Sequence, residues 1–324
     1  FRSVGGEGAD LPTDMSAVVD GSWVRRVADY RGSQRGAGYY NGTYDDTLNE
    51  GNDWDKGDHF LQLSNREEEL IDLVTSNFDN VIVVYNGANA FEMDWVKDYP
   101  QIKGVLLCPG TGQSGFEGFG RVVAGEVNPS GHSADTFVYD LTAAPYFNNI
   151  GAFAYTNADS VGYTAASLFG GDATLVPPHF VNYVEGIYVG YKFYETAADE
   201  GLIDYDKEVV YPFGYGLSYT SFDWKVTDAA ANGSALAKDG NVTVKVTVTN
   251  TGDRAGKDVV QLYYTAPYTA GGIEESSVEL GAFAKTKELA PGESEEVTLT
   301  VPVSDMASYD AYDANHNGFT GYEL

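Results

Sequence analysis

Cysteine, basic residues and long apolar runs are all scarce in this chain of 324 residues. The single cysteine, Cys108, rules out a disulfide within the chain and any thiolate cluster for a metal. It follows Gly104-Val105-Leu106-Leu107, the setting of a buried strand thiol rather than an activated nucleophile. No stretch approaches the roughly 18 apolar residues of a membrane-spanning helix, and nothing reads as a cleavable leader. Lysine and arginine number 19 against 48 aspartates and glutamates, a net charge of −29. Such a surface repels phosphate backbones and anionic lipid, which argues against nucleic acid or membrane partners. An uncharged polar ligand is compatible with it. The four histidines, His59, His132, His179 and His316, show no metal-ligand spacing and no pairing with a serine nucleophile.

What the chain does have is core-forming material, with 43% hydrophobic and 14% aromatic residues. Its length fits two domains of ~150 residues each. Tyr211-Pro212-Phe213-Gly214-Tyr215-Gly216-Leu217-Ser218-Tyr219-Thr220 divides it, because such a mixture of aromatics, glycine and proline makes no regular helix. We read it as a packed connector. Before it, Ser64 and Glu67 have capping-box spacing ahead of Leu70, Ile71 and Val74. Val81-Ile82-Val83-Val84-Tyr85 is the continuous run of a strand buried on both faces. A short helix is expected over 92–98, a second strand over 104–108, and helices over 116–124 and 184–198. Strand and helix in alternation imply a parallel sheet. After the connector the period falls to two: Val242, Val244, Val246 and Val248 alternate with Thr243, Lys245, Thr247 and Thr249. Short strands with turns at Asn250-Thr251-Gly252 and Pro291-Gly292 imply a β-sandwich. Residues 31–58 read as a long loop, a lid or insertion that in a homo-oligomer would reach a neighbouring subunit's cleft.

Three motifs bear on chemistry. Gly110-Thr111-Gly112-Gln113-Ser114-Gly115 has dinucleotide-loop spacing, but Pro109 interrupts the tight strand-to-helix turn. The simpler reading is a glycine-rich loop that lets a helix approach the sheet. Asp313, Asn315, Asn317 and Gly318 imitate the start of a calcium loop whose twelfth position is Leu324 instead of a bidentate glutamate. A polar turn is expected there, and the chain is expected to need no metal or cofactor. Glu7 differs in kind. Gly6 and Gly8 flank it, so the backbone can bring its carboxyl into a cleft without crowding. At the end of a first strand it would sit on the carboxyl-end rim, where open α/β folds take ligands. Residue types alone do not separate it from an ordinary loop acid. Asn41-Gly42-Thr43, Asn232-Gly233-Ser234 and Asn241-Val242-Thr243 are glycosylation sequons, meaningful only in a host that glycosylates.

Six motifs in order carry a resemblance. They are Gly5-Gly6-Glu7-Gly8-Ala9-Asp10, Val81-Ile82-Val83-Val84-Tyr85-Asn86-Gly87, Pro109-Gly110-Thr111-Gly112-Gln113-Ser114-Gly115, Gly125-Glu126-Val127-Asn128-Pro129-Ser130-Gly131, Tyr183-Val184-Glu185-Gly186-Ile187-Tyr188-Val189-Gly190-Tyr191 and the connector. Together they resemble the non-barrel half of glycoside hydrolase family 3, the β-glucosidase and β-xylosidase group. The chain after Thr220 is similar to that family's fibronectin type III-like domain.

The resemblance implies an open, mostly parallel α/β sandwich over residues 1–221, its first strand truncated, then a fibronectin type III-like β-sandwich over 222–324, truncated at its C-terminus. It also implies a (β/α)8 barrel outside this chain that carries an aspartate nucleophile, with the barrel following the β-sandwich as the favoured order. Glu7 would then be the general acid/base toward an oligosaccharide or β-glycoside substrate. Asp10 would contact substrate, although Leu11 stands where the family has arginine. The chain is therefore expected to be a piece of a retaining β-glycosidase, inactive alone, in an extracellular or cell-surface setting in preference to the cytoplasm. The competing expectation is a non-catalytic carbohydrate-binding or scaffolding protein of the same architecture.

Overall fold

The computed structural model describes residues 61–87, 90–145, 160, 183–230 and 233–324, with the backbone of four short strands outside them. Two compact units form, residues 1–110 with 137–186, and residues 111–136 with 187–324.

In the first unit, β1 (Ser16–Val19) pairs antiparallel with β2 (Ser22–Arg25). Helix α1 (Asn65–Asn77) begins at the expected box: Ser64 Oγ accepts from the Glu67 amide at 3.3 Å, and Glu67 Oε2 accepts from the Ser64 amide at 2.9 Å. Ile71 and Thr75 face inward. Strands β3 (Val81–Tyr85) and β4 (Ile102–Leu107) run parallel, with Val83 opposite Val105. Burial on both faces does not hold for β3: Val83 and Tyr85 are 4% exposed, whereas Ile82 is 51% exposed. Successive side chains leave a strand on opposite faces, so this alternation marks one covered face. Between the strands, the short helix expected over 92–98 forms as a 3₁₀ helix, Asp94–Asp98, which follows the buried Phe91 and Met93. Strand β5 (Phe137–Val138) is fully buried, and β6 (Tyr163–Ala165) pairs antiparallel with β7 (Thr174–Val176).

The second unit contains α2 (Gly115–Val123), α3 (Tyr191–Asp199), the single turn α4 (Tyr205–Glu208) and β8 (Val209–Tyr211). The helix expected over 184–198 starts only at Tyr191. Gly186 and Gly190 take φ of 58° and 57°, left-handed values that a right-handed helix does not admit. The sandwich then follows as the valine alternation requires. One sheet has the order β13 (Ser294–Pro302), β10 (Asn241–Asn250), β9 (Phe222–Asp228), and the other pairs β11 (Val259–Tyr264) with β12 (Glu279–Lys285). Val246, Val248, Val260, Leu289, Val297 and Leu299 meet between them. Asn250, fully buried, donates to the Arg254 and Leu289 carbonyls and accepts from Thr220 Oγ1 and the Gly252 amide. All of its hydrogen-bonding capacity is used, as a buried carboxamide requires. A hairpin of β14 (Ser308–Asp310) and β15 (Gly321–Glu323) closes the described chain.

The connector packs as expected. Phe213 stacks on Tyr191 with centroids 4.6 Å apart, and Tyr211 leans on Tyr215 at 5.0 Å. Asn128 Oδ1 accepts from Ser218 Oγ at 3.0 Å and from the Tyr219 amide at 2.7 Å, while its Nδ2 donates to the Ala255 carbonyl at 3.0 Å. One carboxamide thus ties the loop after α2, the connector and the sandwich together.

Candidate functional site

The rim expected to take a ligand is the carboxyl end of the parallel pair. There the Cys108 amide donates to the Tyr85 carbonyl at 2.8 Å, and Asn86 Nδ2 donates to the Cys108 carbonyl at 2.6 Å. The pairing therefore continues one residue past β4, and Asn86 fastens it with its side chain. Cys108 is partly buried just beyond the strand, its backbone committed on both sides. Tyr85 packs on Phe91 at 5.1 Å, and a Cβ at Gly87 would collide with the Tyr85 ring. Only glycine lets the chain turn so closely over that ring. Behind the rim, Glu92 Oε1 accepts from the Leu141 amide at 2.7 Å, and Lys97 lies 4.2 Å over the Tyr139 ring. Asn86 was not singled out as a site residue; its place in Val-Val-Tyr-Asn-Gly at a strand end was the available signal.

Glu7 and Asp10 lie outside the described residues. Carboxyls held above their ordinary range include Asp135, raised by burial, and Glu275, raised chiefly by burial and by neighbouring Glu279 against the bond from Ser308. Both belong to the second unit, and Glu279 there is paired with Lys192 at 2.6 Å. The rim groups of β3 and β4 fasten the end of the sheet: the Cys108 amide and carbonyl and the Asn86 Nδ2 bond within it, and the Tyr85 ring is buried. Proton transfer requires a carboxyl brought from elsewhere.

The other motifs resolve as turns. Helix α2 begins at Gly115, whose amide reaches the Thr111 carbonyl at 3.0 Å, and Gly112 has φ 61°. A Cβ at Gly115 would press on the Thr111 side chain, so this glycine serves a tight approach. In the loop before β15, Asp313 Oδ1 accepts from the Gly318 amide, Asn315 Oδ1 from that of Asn317, and Asn317 Oδ1 from that of Phe319. The Asn315 and Asn317 amide groups both donate to Glu323 Oε2. The loop closes on its own hydrogen bonds, the polar turn expected. Among the described residues no group of three or more His, Cys, Asp or Glu side chains is placed to hold a metal ion. No helix among them is long and apolar enough to cross a membrane.

Residues 41–219 match the glycosyl hydrolase family 3 C-terminal domain, and residues 258–316 match a fibronectin type III-like domain. Beta-glucosidase A of Butyrivibrio fibrisolvens is 36% identical over 275 residues, which are 82% of this chain and 29% of that protein. A beta-glucosidase of Ruminococcus albus is 32% identical, over 81% of this chain and 23% of its own length. Among solved structures, a beta-glucosidase from Paenibacillus barengoltzii superposes with a TM-score of 0.64 at 36% identity, covering 82% of this chain and 25% of that one. Beta-glucosidase 3B of Thermotoga neapolitana, in complex with glucose, gives 0.59 at 35% identity, covering 79% and 30%. The chain thus spans less than a third of the length of each of these relatives.

Proposed function

The chain belongs to glycoside hydrolase family 3, and from that membership we propose that it is part of a retaining β-glycosidase of the β-glucosidase type to which it contributes Glu7 as general acid/base. The observation that carries this reading is Gly6-Glu7-Gly8, set ahead of five further family motifs in the right order. The relatives' names support the reaction class.

In a retaining glycosidase two carboxyl groups about 5–5.5 Å apart flank the scissile bond. One attacks the anomeric carbon and the other protonates the departing oxygen. The second then takes a proton from the water that releases the sugar. Glu7 must be protonated when substrate binds, so its pKa has to rise through exclusion of water and repulsion from the nucleophile carboxylate. The nucleophile aspartate lies on a (β/α)8 barrel outside residues 1–324, and this chain by itself does not turn over substrate. Asp10, three residues on, contacts the sugar.

The test has two arms. Residues 1–324 assayed on an aryl β-glucoside should give no turnover above a Glu7→Gln control; turnover that the substitution abolishes would overturn the missing nucleophile. In the full-length enzyme, Glu7→Gln should slow substrates with poor leaving groups by about 10²–10⁴-fold, the usual worth of a positioned acid. Activated aryl glycosides should suffer much less in the bond-breaking step. An equal loss on both substrate types would remove Glu7 from the acid role, and no loss on either would make it an incidental loop acid.

A further inference from the structure

The hairpin of β14 and β15 turns its rings outward. Tyr309 and Tyr322 are register partners on one face, their centroids 5.1 Å apart in an edge-on pair, and they are 60% and 73% exposed. Asp310, which points to the opposite face, is buried. Tyr312 and Phe319, in the loop between the two strands, are also exposed. An aromatic side chain contributes most to a fold when it is buried, so the fold does not account for these four rings. The loop that carries them is held in place: Asp310 accepts from the Tyr312 amide at 3.0 Å and from the Ala314 amide at 2.8 Å. The Phe319 ring lies against Gly321, where a Cβ would push it away. Phe319 and Tyr322 border a cavity of about 500 Å³ together with Lys238, Ser304, Asn317 and Glu323. That volume falls within the roughly 300–1,000 Å³ of small-molecule sites, which likewise join aromatic walls to a few polar groups. Lys238 and Glu323 cancel, so the lining carries no net charge in a chain whose total is −29.

We propose that this face is a platform for neutral β-glucan, which stacks on the Tyr309, Tyr322 and Phe319 rings and hydrogen-bonds to the polar groups of the cavity. The hydroxyls of a β-linked glucosyl unit are equatorial, so both faces of the sugar ring present C–H groups. These are attracted to the negative face of an aromatic ring. The hydroxyls at the sugar's edge donate and accept, which suits the carboxamide of Asn317, the ammonium of Lys238 and the hydroxyl of Ser304. Charge selects the occupant. A lining without net charge gives an anionic polymer nothing to pair with, and the acidic excess around it repels one. A second copy of the chain is repelled for the same reason. The choice of glucan among neutral polysaccharides rests on the β-glucosidase reading, whereas the rings and the cavity stand apart from it.

Affinity electrophoresis of the full-length protein through gels holding soluble mixed-linkage β-glucan tests this. The parent should be retarded, and Tyr309→Ala combined with Tyr322→Ala should weaken its affinity about tenfold, while Tyr322→Trp, which keeps a ring, should not. A second measurement needs no variant: nitration of Tyr309 and Tyr322 by tetranitromethane, mapped by mass spectrometry, should slow when the glucan is added to the parent. An unretarded parent, equal retardation of the alanine variant, or nitration indifferent to glucan would overturn the proposal. Equal retardation by polygalacturonate, an anionic polymer, would overturn it too, as would a dimer by light scattering that hides both tyrosines without glucan. Hydrolysis of aryl β-glucosides without retardation would sink the platform and leave the proposed reaction standing; retardation without hydrolysis would do the reverse.

Discussion

Tyr99 shows how an acidic surface acts on a single side chain. Its hydroxyl donates to Asp72 Oδ1 at 2.8 Å, and the phenol is pushed up to about 12, first by that bond and then by burial and the charges of Asp72, Glu68 and Asp98. Tyr188 and Tyr205 are raised as well, by burial first and then by their bonds to Glu274 and Glu195. The folded state favours the neutral phenol in each case. A pKa raised on folding contributes stability that is fully present below the unfolded value near 10 and is lost as pH climbs through the folded value. For Tyr99 that window runs from about 10 to about 12. Asp72→Asn removes both the charge and the strongest acceptor, so Tyr99 should then ionise closer to pH 10. Absorbance titration at 295 nm checks it, the variant showing one more tyrosine ionised between pH 10 and 11 than the parent. Superimposable titrations would mean that Asp72 does not hold the phenol.

At the scale of elements, what could be read from the sequence was what local chemistry fixes. The box at Ser64 and Glu67 and the valine alternation of β10 depend on residues three or two apart, and both formed as expected. The start of α3 did not, because apolar spacing at Ile187, Tyr188, Tyr191 and Tyr194 outweighed two glycines whose positive φ is a backbone property with no apolar signature. One-faced burial of β3 was equally hidden, since it depends on what lies across the sheet. The connector was legible because its composition excluded the alternatives. Its glycines make that claim testable. A Cβ at Gly216 would run into the Gly131 carbonyl and the His132 ring, and that carbonyl is backbone that cannot swing aside. Gly216→Ala should therefore cost about 1–3 kcal/mol, the usual penalty of overpacking. Urea unfolding of the second unit reads this as a lower midpoint at unchanged slope. A midpoint equal to the parent's would mean that the connector is not clamped against this loop.

The whole molecule presents 48 acidic against 19 basic side chains, and this excess shaped both what could be inferred and how the protein should behave. It hid the catalytic candidate: among so many carboxylates only resemblance, not composition, distinguished Glu7. It also sets the chain against itself. Ion pairs such as Lys192–Glu279, Lys245–Glu296 and Lys287–Glu293 occupy several of the few cations, and the remaining negative charges repel across the surface. Unfolding moves these charges apart, so repulsion lowers the stability of the compact state. At about 0.01 M salt the screening length is ~30 Å, long enough for charges across a whole domain to feel one another, and at about 0.15 M it is ~8 Å. Raising sodium chloride through that range should therefore raise Tm, by roughly 2–4 °C for each kcal/mol of relieved repulsion in a chain of this size. The same salt weakens the exposed ion pairs, but each of those contributes at most about 1 kcal/mol, and one-to-one pairing of every cation would still leave a net charge of −29. Calorimetric scans in sodium chloride and in potassium chloride separate screening from specific ion binding, because screening depends on ionic strength and not on the cation. A Tm that falls with either salt would mean that the ion pairs outweigh the excess negative charge.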